Sequence, residues 1–318
     1  MEAVAAERPE GDPRLSLARR WLGGVLGSVP RLEPLAGDAS FRRYFRLRMA
    51  EGAFVLMDAP PDRESVAPFL RVRRWLEGGG VRVPHLIAQD GDAGFLLLED
   101  FGDRTWARAL EEGASVAPLL QAAMEQLLRL QRLDPAAAGL PSFDVTRMQR
   151  ECALYLDWYL PYLCDRRPDE TERARFFAAL EPLLRRIASQ PYVPVHLDFH
   201  SRNLMDVSQE DGAPVLGVID FQDAVRGPLT YDLASLLYDC YQDYGEEQAS
   251  DWSGRFFDLL PERMRAAFSG RAGWHEALRC ASLQRHIKVC GIFARLAFRD
   301  GKRQFLDHLP QTRRHLLA

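Results

Sequence analysis

The spacing of apolar residues along the chain predicts strands mainly in its first third and helices mainly after it. Apolar residues at helical spacing predict helices over residues 15–26, 62–76, 116–133, 145–163, 170–189 and 274–298. Short apolar runs predict strands within residues 29–48 and over 54–57, 83–88 and 95–98. This order predicts an α+β chain with a small mixed lobe before a larger, mainly helical one.

Two polar clusters interrupt the apolar pattern in residues 195–223, VHLDFHSRNLMDVSQEDGAPVLGVIDFQD. His196, Asp198 and Asn203 stand in the order H-x-D-x-x-x-x-N, and Asp220 follows an apolar run after a predicted hairpin. Phosphoryl transfer needs one carboxylate to orient a hydroxyl group, and a carboxylate with an amide oxygen to hold magnesium. We predict Asp198 as the catalytic carboxylate, braced by His196, with Asn203 and Asp220 as Mg²⁺ ligands. The pattern predicts a kinase.

This segment, together with GPLTYDLASLLYD after it, resembles the aminoglycoside phosphotransferase and choline kinase group. Within that group, LAGDASFRRYFRL, FVLMDAPP, LLLEDFGD and LQRHIKVCGIFARLAFRDGK resemble bacterial kinases of anomeric amino sugars. The resemblance implies a bilobal protein-kinase-like fold, divided into residues 1–100 and 101–318. It also implies ATP and Mg²⁺ as cofactors, and phosphorylation at C1 of N-acetylmuramate or N-acetylglucosamine in cell-wall recycling.

The predicted nucleotide site departs from that of protein kinases, which place a lysine on the third strand. The only lysines are Lys288 and Lys302, so we expect an arginine of residues 41–46, Arg43 in particular, to contact the phosphates. Ser40 lies in a glycine-containing turn that could approach the phosphates, and Glu64 could replace the kinase helix glutamate. The resemblance places Glu99 and Phe101 at the adenine.

The acceptor site is predicted less directly. Only a short stretch separates Asp220 from the next predicted helix, and Gln222 replaces the glycine of D-F-G. A peptide substrate would therefore lack a docking segment, which favours a small molecule and constitutive activity. A substrate carboxylate would need a nearby cation. The candidate substrate contacts are His200, Arg202 and Asp223, with His286 and Arg295 as further cations.

Four aromatic residues of the predicted helix over residues 145–163 admit two interpretations. Tyr155, Trp158, Tyr159 and Tyr162 could stack on a sugar ring, or they could belong to the core. Aromatic residues at helical spacing more often belong to the core, so we favour that interpretation.

Composition narrows the remaining function classes. The 318-residue chain is 47% hydrophobic and has a formal net charge of −4, which argues against a nucleic-acid-binding protein or a polybasic membrane protein. Five cysteines without a C-x-x-C pair favour reduced thiols, and the charged N-terminus is unlike a signal peptide. We expect a cytoplasmic enzyme with a small-molecule sugar substrate and see no obligate protein partner.

Two alternatives remain open from the sequence. One is a kinase of the same fold that acts on an aminoglycoside, choline or another small alcohol. The other is a nucleotide-binding protein without catalysis, which the missing third-strand lysine would explain. The presence of Asp198, Asn203 and Asp220 argues against the second alternative.

Overall fold

The structure is a computed structural model that describes residues 12–29, 31–35, 41–50, 52–208 and 214–317. The chain divides into two compact units, described in turn below. The first comprises residues 1–71 and 84–101, and the second residues 72–83 and 102–318. The predicted division between residues 100 and 101 remains a prediction. Within the described ranges, no helix is long and apolar enough to cross a membrane.

The first unit is built on a five-stranded antiparallel sheet with the order β1-β2-β3-β5-β4. Its strands are β1 (Glu33–Pro34), β2 (Arg43–Met49), β3 (Gly52–Asp58), β4 (Leu86–Asp90) and β5 (Phe95–Glu99). Helix α1 (Pro13–Leu26) begins after Asp12, whose carboxylate accepts a hydrogen bond from the Arg14 N–H at 2.8 Å. One core joins helix and sheet, formed by Leu15, Ala18, Leu22, Leu32, Phe45, Leu47, Leu56, Phe95 and Leu97.

Helix α2 (Ala67–Gly78) begins later than the predicted start at residue 62, so that boundary was wrong. The Arg63 and Glu64 N–H groups both donate to the Pro60 carbonyl at 2.9 Å, forming a turn. The Ser65 hydroxyl then accepts from the Ala67 N–H at 3.2 Å. The turn that follows Pro60 therefore prevailed over the helical spacing of the apolar residues.

The second unit is mainly helical. A π-helical turn (Tyr155–Tyr159) divides the helix predicted over residues 145–163 into three parts. A separate 3₁₀ helix spans Arg303–His308. The helices of this unit are α3 (Trp106–Glu111), α4 (Val116–Gln131), α5 (Val145–Leu154), α6 (Leu160–Leu163), α7 (Glu170–Ala188), α8 (Tyr231–Leu237), α9 (Glu246–Leu259), α10 (Glu262–Arg265), α11 (Gly270–Phe298) and α12 (Leu309–Leu317).

Helix α11 is buried along much of its length and packs against α5 and the π-helical turn. A Cβ atom at Gly291 would lie 2.3 Å from the carbonyl carbon of Leu154, so this approach of two backbones requires glycine. The predicted long helix is therefore present, with an earlier start at Gly270. All five cysteines are free in the structure.

Two short pairs of antiparallel strands flank the polar clusters of the sequence. β6 (Tyr192–Val195) pairs with β9 (Val225–Pro228), and β7 (Leu204–Asp206) pairs with β8 (Leu216–Val218), both antiparallel. The middle of the predicted turn between β7 and β8, residues 209–213, lies outside the described residues. The loop from β6 to β7 carries residues 196–203, and the segment after β8 carries Asp220.

Candidate active site

Strand pairing brings Asn203 and Asp220 together. Leu204 at the start of β7 faces Val218 at the end of β8, and the Ile219 N–H donates to the Asn203 carbonyl at 3.1 Å. The Asn203 amide Nδ2 lies 3.0 Å from the Asp198 carbonyl oxygen and 3.5 Å from Asp220 Oδ2. Asp198, Asn203 and Asp220 therefore belong to one connected hydrogen-bond network.

The donor set of Asn203 and Asp220 fits Mg²⁺. Mg²⁺ prefers oxygen ligands and usually keeps waters and substrate phosphates in its shell, so it needs few protein ligands. Because Nδ2 of Asn203 donates to the Asp198 carbonyl, the amide oxygen of Asn203 is left for a metal. In the ranges that the structure describes, no group of three or more His, Cys, Asp or Glu residues could hold a metal ion. The pair therefore suits a metal that phosphates also bind.

Asp220 adopts an unusual backbone conformation with φ of 62°. This left-handed conformation is uncommon for residues other than glycine, although Asp and Asn adopt it more readily than most. Gln222 donates from Nε2 to Asp220 Oδ1 at 2.7 Å. Gln222, which stands where D-F-G kinases have glycine, thus helps to fix the Asp220 carboxylate.

His196 braces the loop through its ring. Its Nε2 atom lies 2.9 Å from the Ile219 carbonyl oxygen, so Nε2 carries the proton and donates it. The residue is buried, and its ring meets the Phe199 ring edge-on. This contact ties the loop that carries Asp198 to the residue before Asp220.

Asp232, in the first turn of α8, binds the backbone of the loop that carries Asp198. Its carboxylate accepts from the His196 N–H at 2.6 Å and from the Leu197 N–H at 3.0 Å. Leu197 has φ of 80°, a strained conformation that persists only where its surroundings hold it. Burial raises the pKa of Asp232 to about 6, although the two backbone donors oppose this effect.

A second buried carboxylate, Asp239, was not identified from the sequence. It accepts from the Ser201 N–H and from the Tyr241 N–H, each at 2.8 Å. The residue is fully buried, so the two bonds replace the water that it gives up on folding. Its place at the end of the motif DLASLLYD, seven residues after Asp232, is the only signal that the sequence offered.

Arg285 of α11 is buried beside the predicted catalytic carboxylate, and Lys288 is a second buried cation of the same helix. The Arg285 Nη2 atom lies 3.7 Å from Asp198 Oδ1, and the Asp198 side chain is 42% exposed. Burial alone would raise the pKa of Asp198, but Lys288 and Arg285 outweigh burial and hold the pKa below its ordinary value. Asp198 is therefore a carboxylate at neutral pH. The sequence did not single out Arg285.

The predicted substrate contacts of the loop differ in exposure and charge. His200 is buried, and burial lowers its pKa to about 3, so it is neutral at pH 7. Arg202 is exposed, with its guanidinium carbon 3.9 Å from the centre of the Tyr241 ring and Nη2 2.8 Å from His308 Nε2. Asp223 is also exposed. Among these three residues, only Arg202 offers a positive charge at the surface.

The further cation candidates of α11 are not equivalent to Arg202. His286 is fully buried, with Nδ1 2.6 Å from the Ser282 carbonyl oxygen, and its pKa lies well below the ordinary value because of burial. His286 is therefore neutral and cannot supply the expected cation. Arg295 is half-buried nearer the end of the helix, and burial lowers its pKa.

The predicted phosphate contact, Arg43, lies on the α1 face of the sheet in the first unit. Its guanidinium forms ion pairs with Asp12 and with the fully buried Asp58, and Arg43 opposes Asp58 in the pairing of β2 with β3. Arg42, directly before β2, is instead paired with Glu64, and its guanidinium lies 6.0 Å from the Phe69 ring of α2. The two neighbouring arginines therefore serve opposite sides of the sheet.

The residues predicted to contact adenine close β5. Glu99 is the last residue of the strand; its N–H donates to the His85 carbonyl at 2.9 Å and its carboxylate accepts from the His85 N–H at 3.1 Å. Phe101 is the last residue of the first unit. Ser40, the third predicted nucleotide contact, lies outside the described residues. These nucleotide contacts remain predictions.

The aromatic residues of the π-helical region stack mainly on one another. The Tyr155 and Tyr159 rings are 4.8 Å apart, and the Trp158 and Tyr162 rings are 5.3 Å apart. The Tyr162 ring also stacks on Phe298 of α11 at 5.0 Å, although Tyr162 remains half-exposed. These contacts favour the core interpretation over a sugar platform.

The hydrogen-bonded arrangement of Asp198, Asn203 and Asp220, in a chain with a small antiparallel sheet and a mainly helical second unit, is typical of a kinase-like phosphotransferase. The chain belongs to the family described as APH, phosphotransferase enzyme family, whose model matches residues 31–267. The fold is shared with aminoglycoside 2′-phosphotransferase-IIIa in its GDP complex, with a TM-score of 0.63 at 14% identity over 95% of this chain and 98% of that one.

Curated relatives are more similar in sequence. An N-acetylmuramate/N-acetylglucosamine kinase of Pseudomonas aeruginosa is 38% identical over 312 residues, covering 96% of this chain and 87% of that protein. A protein of the same name from Neisseria meningitidis is 38% identical over 292 residues, covering 88% of this chain and 83% of that protein.

Proposed function

We propose that this protein is an ATP- and Mg²⁺-dependent kinase that phosphorylates the anomeric hydroxyl group of N-acetylmuramate and N-acetylglucosamine. The observation that carries the reaction type is the network of Asp198, Asn203 and Asp220. The sugar is supported by the names of relatives that match nearly the whole chain. A role in cell-wall sugar recycling in the cytoplasm follows from those substrates.

In the proposed reaction, the C1 oxygen of the sugar attacks the γ-phosphorus of ATP. The new O–P bond forms as the bond from the γ-phosphorus to the β,γ-bridging oxygen breaks, and ADP leaves with that electron pair. Asp198 orients the hydroxyl group and takes its proton. A bound Mg²⁺ would supply positive charge against the phosphate oxygens, and Asn203 and Asp220 are the residues to hold it.

The low pKa of Asp198 supports orientation as its main task. A weak base removes the proton only late in the reaction, when the O–P bond is largely formed. Such late removal is sufficient here, because the transition state of phosphoryl transfer needs little negative charge on the attacking oxygen. A carboxylate that is always ionised can accept a hydrogen bond from the hydroxyl group throughout the approach. The fixed loop, braced by His196 and Asp232, keeps that carboxylate in place.

For the nucleotide phosphates, we propose Arg42 with Glu64 in place of the predicted Arg43. Arg43 is engaged by two carboxylates on the α1 face of the sheet, so its charge is already balanced. The Arg42–Glu64 pair has the chemistry of the lysine–glutamate pair of protein kinases, with the glutamate just before α2. Arg42→Ala should raise the KM for ATP, whereas Arg43→Ala should mainly lower stability; the reverse result would restore Arg43.

The acceptor is tested by mass spectrometry of the products from a panel of substrates. The full chain is incubated with ATP, Mg²⁺ and either N-acetylmuramate, N-acetylglucosamine, kanamycin or choline, beside the Asp198→Ala variant. A sugar monophosphate that forms only with the wild-type protein is the expected result. Phosphorylated kanamycin or choline would support kinase activity but contradict the proposed sugar substrate. ATP binding without any product would favour the non-catalytic alternative.

A further inference from the structure

Helix α11 carries two cations in places where cations are costly. Arg285 is 1% exposed and Lys288 is 6% exposed. They lie three positions apart, so they share one face of the helix. A buried charge destabilises a protein unless other charges and hydrogen bonds compensate it.

The partners of the two cations lie on different elements. Lys288 Nζ is 3.5 Å from Glu151 Oε2 on α5, and Arg285 Nη2 is 3.7 Å from Asp198 Oδ1 on the catalytic loop. Asp198 and Glu151 both raise the pKa of Lys288 against the effect of burial, so Lys288 stays charged. The two cations thus lie among the carboxylates of α5 and of the catalytic loop.

Arg285 is compensated incompletely. Its Nε and Nη1 atoms are buried and lack a hydrogen-bond partner within the described part of the chain. A residue retained only for stability would be expected to have its donors satisfied, because an unsatisfied buried donor costs free energy. The guanidinium is instead placed where its positive charge faces Asp198, which indicates a functional reason for keeping it there.

We propose that Arg285 and Lys288 are positioning residues that hold the Asp198 carboxylate directed toward the acceptor hydroxyl group. The proposal rests on the proposed kinase function, because it assigns the two cations a task in that reaction. Both cations act through Asp198 and need no contact with ATP or sugar. Their loss should therefore lower kcat more than it changes the KM for ATP.

The test compares two ways of breaking the same ion pair. Lys288→Met removes the cation, whereas Glu151→Gln removes its partner on α5 and leaves the cation on the helix face that it shares with Arg285. We expect Lys288→Met to lower kcat by about 10- to 100-fold, in the range of a displaced catalytic group, with the KM for ATP within twofold. Glu151→Gln should keep most of the wild-type kcat, although both variants lose the pair.

Conservative exchanges complete the experiment. Lys288→Arg and Arg285→Lys keep the positive charge and should retain more activity than Lys288→Met and Arg285→Met. If circular dichroism shows that the methionine variants do not fold, Glu151→Gln, Lys288→Arg and Arg285→Lys are compared with wild type instead. The proposal then predicts that kcat falls most in Arg285→Lys, which displaces the positive charge, and least in Glu151→Gln.

The results that overturn the proposal are equally specific. Equal losses of kcat in Glu151→Gln and in Lys288→Met or, where that variant does not fold, in Arg285→Lys would show that the cations serve only to stabilise the fold. Unchanged kcat in the charge-removing or charge-displacing variants would do the same. Absence of phosphoryl transfer in the wild-type protein would instead reject the proposed function itself, so the two failures are distinguishable.

Discussion

The substitution Gly291→Ala tests the packing that places α11 and its two cations. In an unhindered helix, alanine is favoured over glycine by about 1 kcal/mol. At position 291, the new Cβ atom would lie 2.3 Å from the carbonyl carbon of Leu154 and 2.5 Å from its oxygen. Ordinary contacts begin near 3.4 Å, so α5 and α11 must separate by roughly 1 Å.

The expected sign of the stability change follows from these two terms. Overpacking costs about 1–3 kcal/mol and occasionally more, and backbone atoms can yield less than the end of a side chain. We therefore expect Gly291→Ala to lower the free energy of unfolding, despite the higher helix propensity of alanine. Because Arg285 and Lys288 lie on the displaced helix, kcat should fall as well.

The matched control is Gly24→Ala in α1. A Cβ atom at Gly24 meets nothing within 4 Å, so this variant should gain up to about 1 kcal/mol. Urea unfolding followed by tryptophan fluorescence measures both changes, with each transition fitted separately because two units can unfold independently. If Gly291→Ala proved as stable as Gly24→Ala, the close approach of α11 to Leu154 would be refuted.

Three further predictions concern the catalytic loop. Asp232→Asn replaces one of two acceptor oxygens by an NH2 donor that would face a backbone N–H, so it should cost about 1–3 kcal/mol of stability and lower kcat. The exposed Asp251→Asn should change either quantity little, and equal effects of the two substitutions in unfolding and kinetic assays would contradict this. His200 is neutral in the native state and protonated below pH 6.5 when unfolded, so the unfolded state binds more protons and native stability falls as pH decreases toward 3. The stability difference between wild type and His200→Gln should therefore shrink by about 1.4 kcal/mol per pH unit in urea titrations at pH 6 and pH 5, and a constant difference would be evidence against it. Asn203→Ala should raise the Mg²⁺ concentration needed for half-maximal activity, with partial recovery at high Mg²⁺, and an unchanged Mg²⁺ titration would remove Asn203 from the metal site.

The proximity of Asn203 and Asp220 was predictable because the two residues lie in a short stretch of sequence. Asp198, Asn203 and Asp220 lie within 23 positions, and their spacing specifies a loop and a hairpin. The pairing of the short strands β7 and β8 is then enough to bring Asn203 close to Asp220.

The positions of Arg285 and Lys288 could not be predicted because they depend on contacts between distant parts of the chain. Arg285 lies 87 positions after Asp198, and the sequence shows only a cation on a mostly apolar helix. Nothing in the sequence around Lys288 distinguishes it from His286, which is buried and neutral. A buried pair of cations becomes informative only when the facing carboxylate is known.

The choice between Arg42 and Arg43 illustrates a different limit. Neighbouring strand residues point to opposite faces, so an uncertainty of one position reverses the side of the sheet. The sequence favoured Arg43, whereas the register of β2 with β3 places Arg43 beside Asp58 and leaves Arg42 to Glu64. Strand register, which the sequence alone did not determine, is the basis for proposing Arg42 in place of Arg43.

The central claim is most directly tested by ³¹P NMR of the product made from N-acetylglucosamine labelled with ¹⁸O at C1. The proposed attack by the C1 oxygen predicts a sugar 1-phosphate whose phosphorus couples to H1 and carries the label in the C–O–P bridge. Asp198→Ala, which lacks the orienting carboxylate, should form this product far more slowly than wild type. Phosphate on another hydroxyl group, or equal rates for the two proteins, would contradict the account.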